Sequence, residues 1–450
     1  MSNERSGFSS RLGFVLATAG SAVGLGNIWR FPYLAAKYGG GTFLLTYLIL
    51  TLTFGFSLMI TEVALGRKAG TSAIRAFGHF SKKHTFIGYL TTIIPFIIFP
   101  YYCVIGGWVT KYALISLQGG IHNAASDTFF TGFISKSAEP MICVLVFLIA
   151  TTVVVAGGVK GGVERVSTIM PVLIVLLIGV SLFCITRPGA MAGVAYYLKP
   201  SLKGFGPTTI LAALGQLFYS MSLAMGIMIT FGSYMPKKAD LEKSVTQVEI
   251  FDTGVAFLAG LMIVPAVFVF SNGDSSMLAK GPSLMFVMLP KVFDSMAFSS
   301  VIAAVFFILV LLAALTSSIS LLETLVAVLM DKFHMKRGTA CITMFIIALL
   351  LAVPSSLGFG AWSNITILGF DFLDFFDFIS NSVLMPIAAF LTCLFVGYII
   401  KPKVIVDEVE SSGEFKRKSL FLIMVKYIAP ICIVAILVFS VLEGLGFITV

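Results

Sequence analysis

The chain has 450 residues, of which 58% are hydrophobic and only 11% charged, and its mean hydropathy is +1.02. Soluble domains average about 45–50% apolar and about 25% charged residues, so this chain carries too little charge to clothe a water-facing surface of its size. That excludes a soluble enzyme, a disordered chain and a disulfide scaffold. The net charge of +9 lies mainly in short loops between apolar runs, where it is a topology signal and not a nucleic-acid-binding stripe.

A bilayer core of about 30 Å needs roughly 20 apolar residues per helix. That ruler predicts eleven spans, near 12–36, 42–66, 85–117, 140–157, 166–186, 209–235, 244–271, 295–330, 339–353, 373–399 and 420–446. The first run is too long and too polar for a cleavable signal. With the N-terminus inside, twenty of the 30 lysines and arginines fall in inner loops and six in outer ones. This is the positive-inside pattern of a multi-pass inner (plasma) membrane protein, and an odd number of spans puts the C-terminus outside. The six cysteines all lie in apolar runs without CxxC spacing, and the four histidines show no metal-ligand spacing.

Candidate functional residues are those that violate the apolar pattern. The first span reads Gly20-Ser21-Ala22-Val23-Gly24-Leu25-Gly26-Asn27-Ile28-Trp29-Arg30-Phe31-Pro32. Each glycine costs about 1 kcal/mol of helix propensity relative to alanine. Glycines alone are equally well explained by tight helix packing through Gly20-x3-Gly24, but Asn27 and Arg30 in the same run point to a pathway or a gate. The sixth span has a similar interruption, from Gly215 through Tyr219, Ser220 and Ser222 to Met225 and Gly226. Matching breaks in two halves of a chain indicate an inverted-repeat transporter with its site at mid-membrane. Unwound backbone offers carbonyls to a hard cation, and half-helix N-termini offer N–H groups to a carboxylate. Glu62, Asp252, the Thr316-Ser317-Ser318 triplet, Glu323 and the acidic run Asp371, Asp374 and Asp377 extend the set. Glu62 is expected to accept hydrogen bonds from backbone freed by a helix break.

These stretches resemble the neurotransmitter:sodium symporter family, in its bacterial amino acid transporter branch. The resemblance rests on Asn27-Ile28-Trp29-Arg30-Phe31-Pro32, on Gly215-Gln216-Leu217-Phe218-Tyr219-Ser220 and on Leu315-Thr316-Ser317-Ser318. It runs from about Arg5 to the last span. The broken-helix rule was itself drawn from that fold, so the two readings are one argument. The resemblance implies an all-α integral membrane protein of the LeuT fold: a 5+5 inverted-topology repeat with broken helices 1 and 6 among eleven transmembrane helices. The chain would divide into a cytoplasmic segment (1–10), a first repeat (11–186), an outer loop (187–208), a second repeat (209–399), a cytoplasmic loop (400–419) and helix 11 (420–450).

Carried over residue by residue, the resemblance implies two Na+ sites. One would use Ala22, Asn27, Ser220 and Asp252 with the substrate's own carboxylate. The other would use Gly20, Val23, Ala313, Thr316 and Ser317. The substrate site would comprise Ala22, Gly24, Leu25, Gly26, Ile98, Tyr102, Tyr219, Ser220, Ser222, Met225, Ser317 and Leu321. Tyr102 and the N–H groups near Leu25 and Gly26 would take the carboxylate. Arg30 and Asp377 would close the outside, under an aromatic lid of Tyr219 and Tyr102. Arg5 and Asp331, helped by Tyr234, would close the inside, although two solvated loop charges explain that pair as well.

Relatives that carry monoamines have an Asp where this chain has Gly24. The carboxylate must then arrive with the substrate, which favours a neutral hydrophobic or aromatic amino acid. Asp252 is a fixed negative charge where chloride-dependent relatives have Asn, and Ala256 lacks the hydroxyl found in their anion site. Chloride-independent transport is therefore expected, with Asp252 returning a proton once sodium has left. The expected partners are the amino acid, sodium and the lipid bilayer, with no nucleic acid and no enzymatic activity. A channel or an amino-acid-binding receptor on the same fold is the alternative.

Overall fold

The computed structural model describes residues 7–201, 205–271 and 282–447. Nine helices among the described residues are long and apolar enough to cross a membrane. They are Gly41–Ala69, Lys82–Leu117, Ala138–Ala156, Val159–Ile185, Leu241–Phe270, Ser299–Phe333, Arg337–Leu357, Phe372–Ile399 and Lys418–Gly444. A tenth span is the pair Arg11–Ala22 and Gly26–Lys37, bent by 55° at its break. Helices Pro207–Ser220 and Ile227–Tyr234 make the eleventh, interrupted at residues 221–226. The spans are numbered first to eleventh in chain order below.

Local chemistry explains the first break. The hydroxyl of Ser10, in extended backbone, accepts from the Gly13 N–H at 3.0 Å and starts the helix. Val23 leaves the helix with φ −74° and ψ 100°, and the chain re-enters as a wide π-helical turn over Gly26–Arg30. In the sixth span, Ser222, Ala224 and Gly226 all have positive φ (52°, 62° and 72°), which no right-handed helix contains. Side-chain-bearing residues in that region cost about 1–3 kcal/mol each and persist only when held by their surroundings. Here the holder is Glu62, whose Oε1 accepts from the Ala224 N–H at 2.7 Å. The expectation for Glu62 is met.

The fifth span begins at Val159, earlier than the predicted 166, because its first turns are irregular and polar. A π-helical segment, Val159–Glu164, is followed by the short helix Arg165–Ser167, a turn, and then Met170–Ile185 with Pro171 in its first turn. Glu164 accepts from the backbone and hydroxyl of Ser9, which ties the N-terminal segment to this span. The ninth span is also longer than predicted, at 21 residues.

The first span is buried along most of its length against the seventh and eighth spans. The second span and the C-terminal half of the sixth, Ile227–Tyr234, meet at van der Waals distance between backbones. A Cβ added to Gly66 would lie 1.8 Å from the Ile229 carbonyl oxygen, and one on Gly232 would lie 2.3 Å from that of Val63. Small residues permit such approach, and in lipid that packing drives helix association. Leu45, Ile49, Val153, Val175, Leu350 and Ile431 are exposed on the outside, as a lipid-facing surface requires.

Candidate functional site

The two breaks face each other across a cavity lined by Ser21, Ala22, Gly24, Leu25, Gly26, Asn27, Ile98, Tyr102, Tyr219, Ser220, Ser222, Met225, Ile227, Ser317, Leu321 and Asn381. All twelve residues expected around a substrate therefore stand together. Ser21, Ile227 and Asn381 were not anticipated. One side of the cavity is polar, formed by the break of the first span. Leu25 and Gly26 lie in the first turn of a half-helix, where N–H groups have no intrahelical acceptor. The buried Tyr102 hydroxyl lies beside the Leu25 N–H and the Ser317 hydroxyl and has no hydrogen-bond partner. The other side is apolar, made by Ile98, Met225, Ile227 and Leu321, all buried.

Gly24 and Gly26 shape this polar side through space. A Cβ on Gly24 would stand 2.7 Å from the Ser317 Oγ and 3.3 Å from the Tyr102 Oη. A Cβ on Gly26 would fall 2.4 Å from the Tyr219 ring. The Ser222 hydroxyl donates to the Ser21 carbonyl at 3.1 Å, which joins the two breaks directly.

On one flank is Asp252, fully buried in the seventh span. Its Oδ1 accepts from the Asn27 Nδ2 and from the Ser220 Oγ, each at 2.7 Å, and its Oδ2 accepts from the Tyr47 hydroxyl at 3.1 Å. The Asn27 Oδ1 in turn accepts from the Gly24 N–H at 3.2 Å. Asn27, Ser220 and Asp252 are thus a single cluster reaching the cavity wall, with Ala22 beside it. Gln216 donates to the Gly26 carbonyl at 3.0 Å, while its own oxygen is buried without a partner.

On the other flank the eighth span presents hydroxyls to the first break. The Ser317 Oγ lies 3.4 Å from the Gly20 carbonyl oxygen, 3.1 Å from that of Ser21 and 3.3 Å from that of Val23. The Thr316 Oγ1 donates to the Ala313 carbonyl at 3.0 Å, and the Thr316 Cβ is 3.2 Å from where a Gly20 Cβ would be. The five residues expected at a second sodium position are therefore adjacent. Every oxygen there is a carbonyl or a hydroxyl.

The outer closure differs from expectation. Arg30 does not pair directly with Asp377; its guanidinium lies 5.2 Å from the centre of the Tyr219 ring. Asp377 is engaged elsewhere. Its Oδ1 accepts from the Tyr101 hydroxyl at 3.1 Å and the Asn381 Nδ2 at 2.6 Å, so Arg30 acts on it only through space. Tyr101, not its neighbour Tyr102, is the tyrosine on this carboxylate. At the opposite end, Arg5 lies outside the described residues. Asp331 accepts from the Ser72 N–H at 2.8 Å and its hydroxyl at 2.6 Å. The Tyr234 hydroxyl donates to Glu323 at 2.8 Å, within a forked pair between the buried Glu323 and the half-buried Arg337 with contacts of 2.6 and 2.9 Å. The sequence marks Glu323 as out of place in lipid, but its partner belongs to the next span and is brought in only by the fold. Phe8 packs edge-on to Phe14, Phe231 and Tyr234 and covers this end.

Comparison with known proteins agrees with this geometry. A model of the sodium:neurotransmitter symporter family matches residues 5–132 and 130–445. An uncharacterized sodium-dependent transporter of Bacillus subtilis (strain 168), YhdH, is 35% identical over 438 residues, covering 95% of this chain and 96% of its own. An uncharacterized sodium-dependent transporter of Haemophilus influenzae is 34% identical over 456 residues, covering 97% and 98%. The human sodium- and chloride-dependent GABA transporter 2 is 27% identical over 380 residues, covering 73% of this chain and 62% of its own. Among solved structures, MhsT in complex with L-phenylalanine superposes with a TM-score of 0.87 at 38% identity, covering 97% of this chain and 100% of that one. The chain therefore belongs to the sodium:neurotransmitter symporter family and is a multi-pass, sodium-dependent symporter of the LeuT fold, not an enzyme.

Proposed function

We propose that this symporter takes up neutral hydrophobic or aromatic L-amino acids by alternating access, coupled to two sodium ions. The observation that carries the reading is the buried Tyr102 hydroxyl standing beside the first turn of the half-helix at Leu25 and Gly26, where Gly24 supplies no carboxylate. A buried donor without an acceptor costs about 1–3 kcal/mol, and an incoming carboxylate would relieve that cost. The apolar wall of Ile98, Met225, Ile227 and Leu321 suits an uncharged side chain and offers nothing to pair with a charged one. The 38% identical MhsT, solved with L-phenylalanine, supports the same class of cargo.

The first sodium would sit among Ala22, Asn27, Ser220 and Asp252, with the substrate carboxylate completing its shell. The second would sit among Gly20, Val23, Ala313, Thr316 and Ser317. Oxygen ligands suit a hard cation. The substrate ammonium would meet Ser222 and the carbonyls of Ala22 and Tyr219. Three donors hold the Asp252 carboxylate in position, which supports its role as a ligand of fixed orientation. Arg30 and Tyr219 would close the outer side and Asp377 would steer Arg30. Asp331, Tyr234 and the Glu323–Arg337 pair would close the inner side. The count of basic residues favours a cytoplasmic N-terminus and an outer C-terminus.

Chloride would have no role in this scheme. Tyr47 and Ser220, two of the groups an anion would need, already donate to Asp252, and Gln216 donates to Gly26. Like charges at about 4 Å repel by about 4 kcal/mol at an effective dielectric constant of about 20. When sodium leaves, the buried Asp252 would pick up a proton and return with it.

The test is uptake by proteoliposomes of labelled phenylalanine, leucine, valine, glutamate, lysine and GABA under an inward sodium gradient. Uptake of the first three, equal in chloride and gluconate, is the expected result. Preference for GABA or glutamate would reject the substrate reading, and collapse of uptake in gluconate would reject the charge argument.

A further inference from the structure

A second cavity, of about 440 Å³, opens where the short helix Ala73–Phe80 meets the beginning of the third span and the end of the eighth. It takes Arg75 and His79 from the short helix, Thr85 and Tyr89 from the third span and Lys332 from the eighth. No acidic residue occurs between Glu62 and Asp127, so this part of the chain brings cations without internal counter-charge. Arg75 is exposed and has no carboxylate partner among the described residues. Asp331, the neighbour of Lys332, accepts instead from the backbone and hydroxyl of Ser72. The Lys332 ammonium bonds the Tyr89 hydroxyl and lies 5.1 Å from the centre of that ring. A concave site with two exposed cations, an imidazole and hydroxyls is complementary to a phosphate-type anion.

What surrounds the cations identifies the source of the anion. Phe86, Tyr89 and Ile93 are 52%, 45% and 46% exposed, and spacings of three and four residues put them on one face of the third span. Phe333, 63% exposed, follows Lys332 on the eighth span. This apolar face starts at the cavity and runs along a membrane-spanning helix, and a free phosphate would leave it unused. Basic pockets between spans at the end of a bundle bind anionic head groups.

We propose that this cavity binds an anionic phospholipid, with the phosphate between Arg75 and Lys332 and the acyl chains along Phe86, Tyr89 and Ile93. The lipid would bridge the two elements that Asp331 and Ser72 already join, and would brace the end of the bundle covered by the N-terminal segment.

The test is native mass spectrometry of the purified protein titrated with phosphatidylglycerol or phosphatidylcholine, a readout independent of transport and of the substrate assigned above. One phosphatidylglycerol should bind in clear preference to phosphatidylcholine. Each cation beside an anionic head group contributes about fivefold in affinity, so Arg75→Gln combined with Lys332→Gln should weaken that binding by about tenfold or more. Both side chains are exposed, and thermal stability in detergent, expected to be unchanged, checks that the fold survives. Unaltered phosphatidylglycerol binding in the folded double variant overturns the site. Displacement of the lipid by glycerol phosphate at equal concentration assigns the site to a free phosphate and overturns the lipid reading.

Discussion

The two flanks of the central cavity solve the same problem, holding oxygens in a hydrocarbon layer, by different means. Around Asp252 a full negative charge is saturated by Asn27, Ser220 and Tyr47. Around Thr316 and Ser317 there is no formal charge, only hydroxyls leaning on the carbonyls of Gly20, Val23 and Ala313. The charged flank adjoins the cavity through Asn27 and Ser220, so a cation there would feel the substrate directly. The neutral flank reaches the cavity only through Ser317, while Thr316 lies off the cavity against Gly20 and would report chiefly on how the first and eighth spans pack. A charged flank coupled to substrate and a neutral flank coupled to helix packing should fail in different ways.

The largest effect is expected from Asp252→Ala. It removes the acceptor of three buried donors as well as the charge, and uptake should fall at least about a hundredfold, since a broken buried charged network costs about 3–5 kcal/mol. Asp252→Asn with Ala256→Ser should instead retain activity but make it chloride-dependent, read as uptake in sodium chloride against sodium gluconate. Gly24→Asp comes next. Its side chain would enter the space of Ser317 and Tyr102 and oppose a substrate carboxylate, so amino acid binding should drop by about a hundredfold. Retained affinity there would mean the carboxylate does not lie at the break.

On the neutral flank, Thr316→Ala removes one hydroxyl ligand, a loss of about 1 kcal/mol or about fivefold in sodium affinity. Substrate affinity at saturating sodium should be unchanged. An equal loss of both would erase the contrast between the flanks. The smallest effect is expected at Pro171, in the first turn of Met170–Ile185 just after the irregular start of the fifth span. Pro171→Ala permits a more continuous helix there and should lower turnover about two- to threefold without changing binding. Single-turnover and steady-state uptake at equal expression separate the two.

Much of this was legible from residues that do not belong in lipid. Asn27 and the glycines around it mark the first break, and Tyr219 through Gly226 mark the second, because no apolar helix needs them. Glu62 was readable as a backbone acceptor because a break creates unsatisfied N–H groups. What was not legible is partner choice. Asp377 and Arg30 are both visible as misplaced charges, yet Asp377 is taken by Tyr101 and by Asn381, which lies one π-helical turn further along the same span. Tyr101 and Tyr102 are adjacent in sequence and differ only in the direction each faces, which the packing of the third span decides. Glu323 likewise finds Arg337 across a loop between the eighth and ninth spans. A sequence exposes an unpaired polar group, while its partner is set by tertiary packing.

The central claim is that a neutral amino acid's carboxylate lies at the first break and shares sodium with Asn27, Ser220 and Asp252. Equilibrium binding of labelled L-phenylalanine to the purified protein, titrated in sodium and in potassium, tests it most directly. The account predicts tight binding in sodium only, lost together with sodium affinity in Ser220→Ala and weakened about tenfold in Tyr102→Phe. Equally tight binding in sodium and in potassium would contradict it.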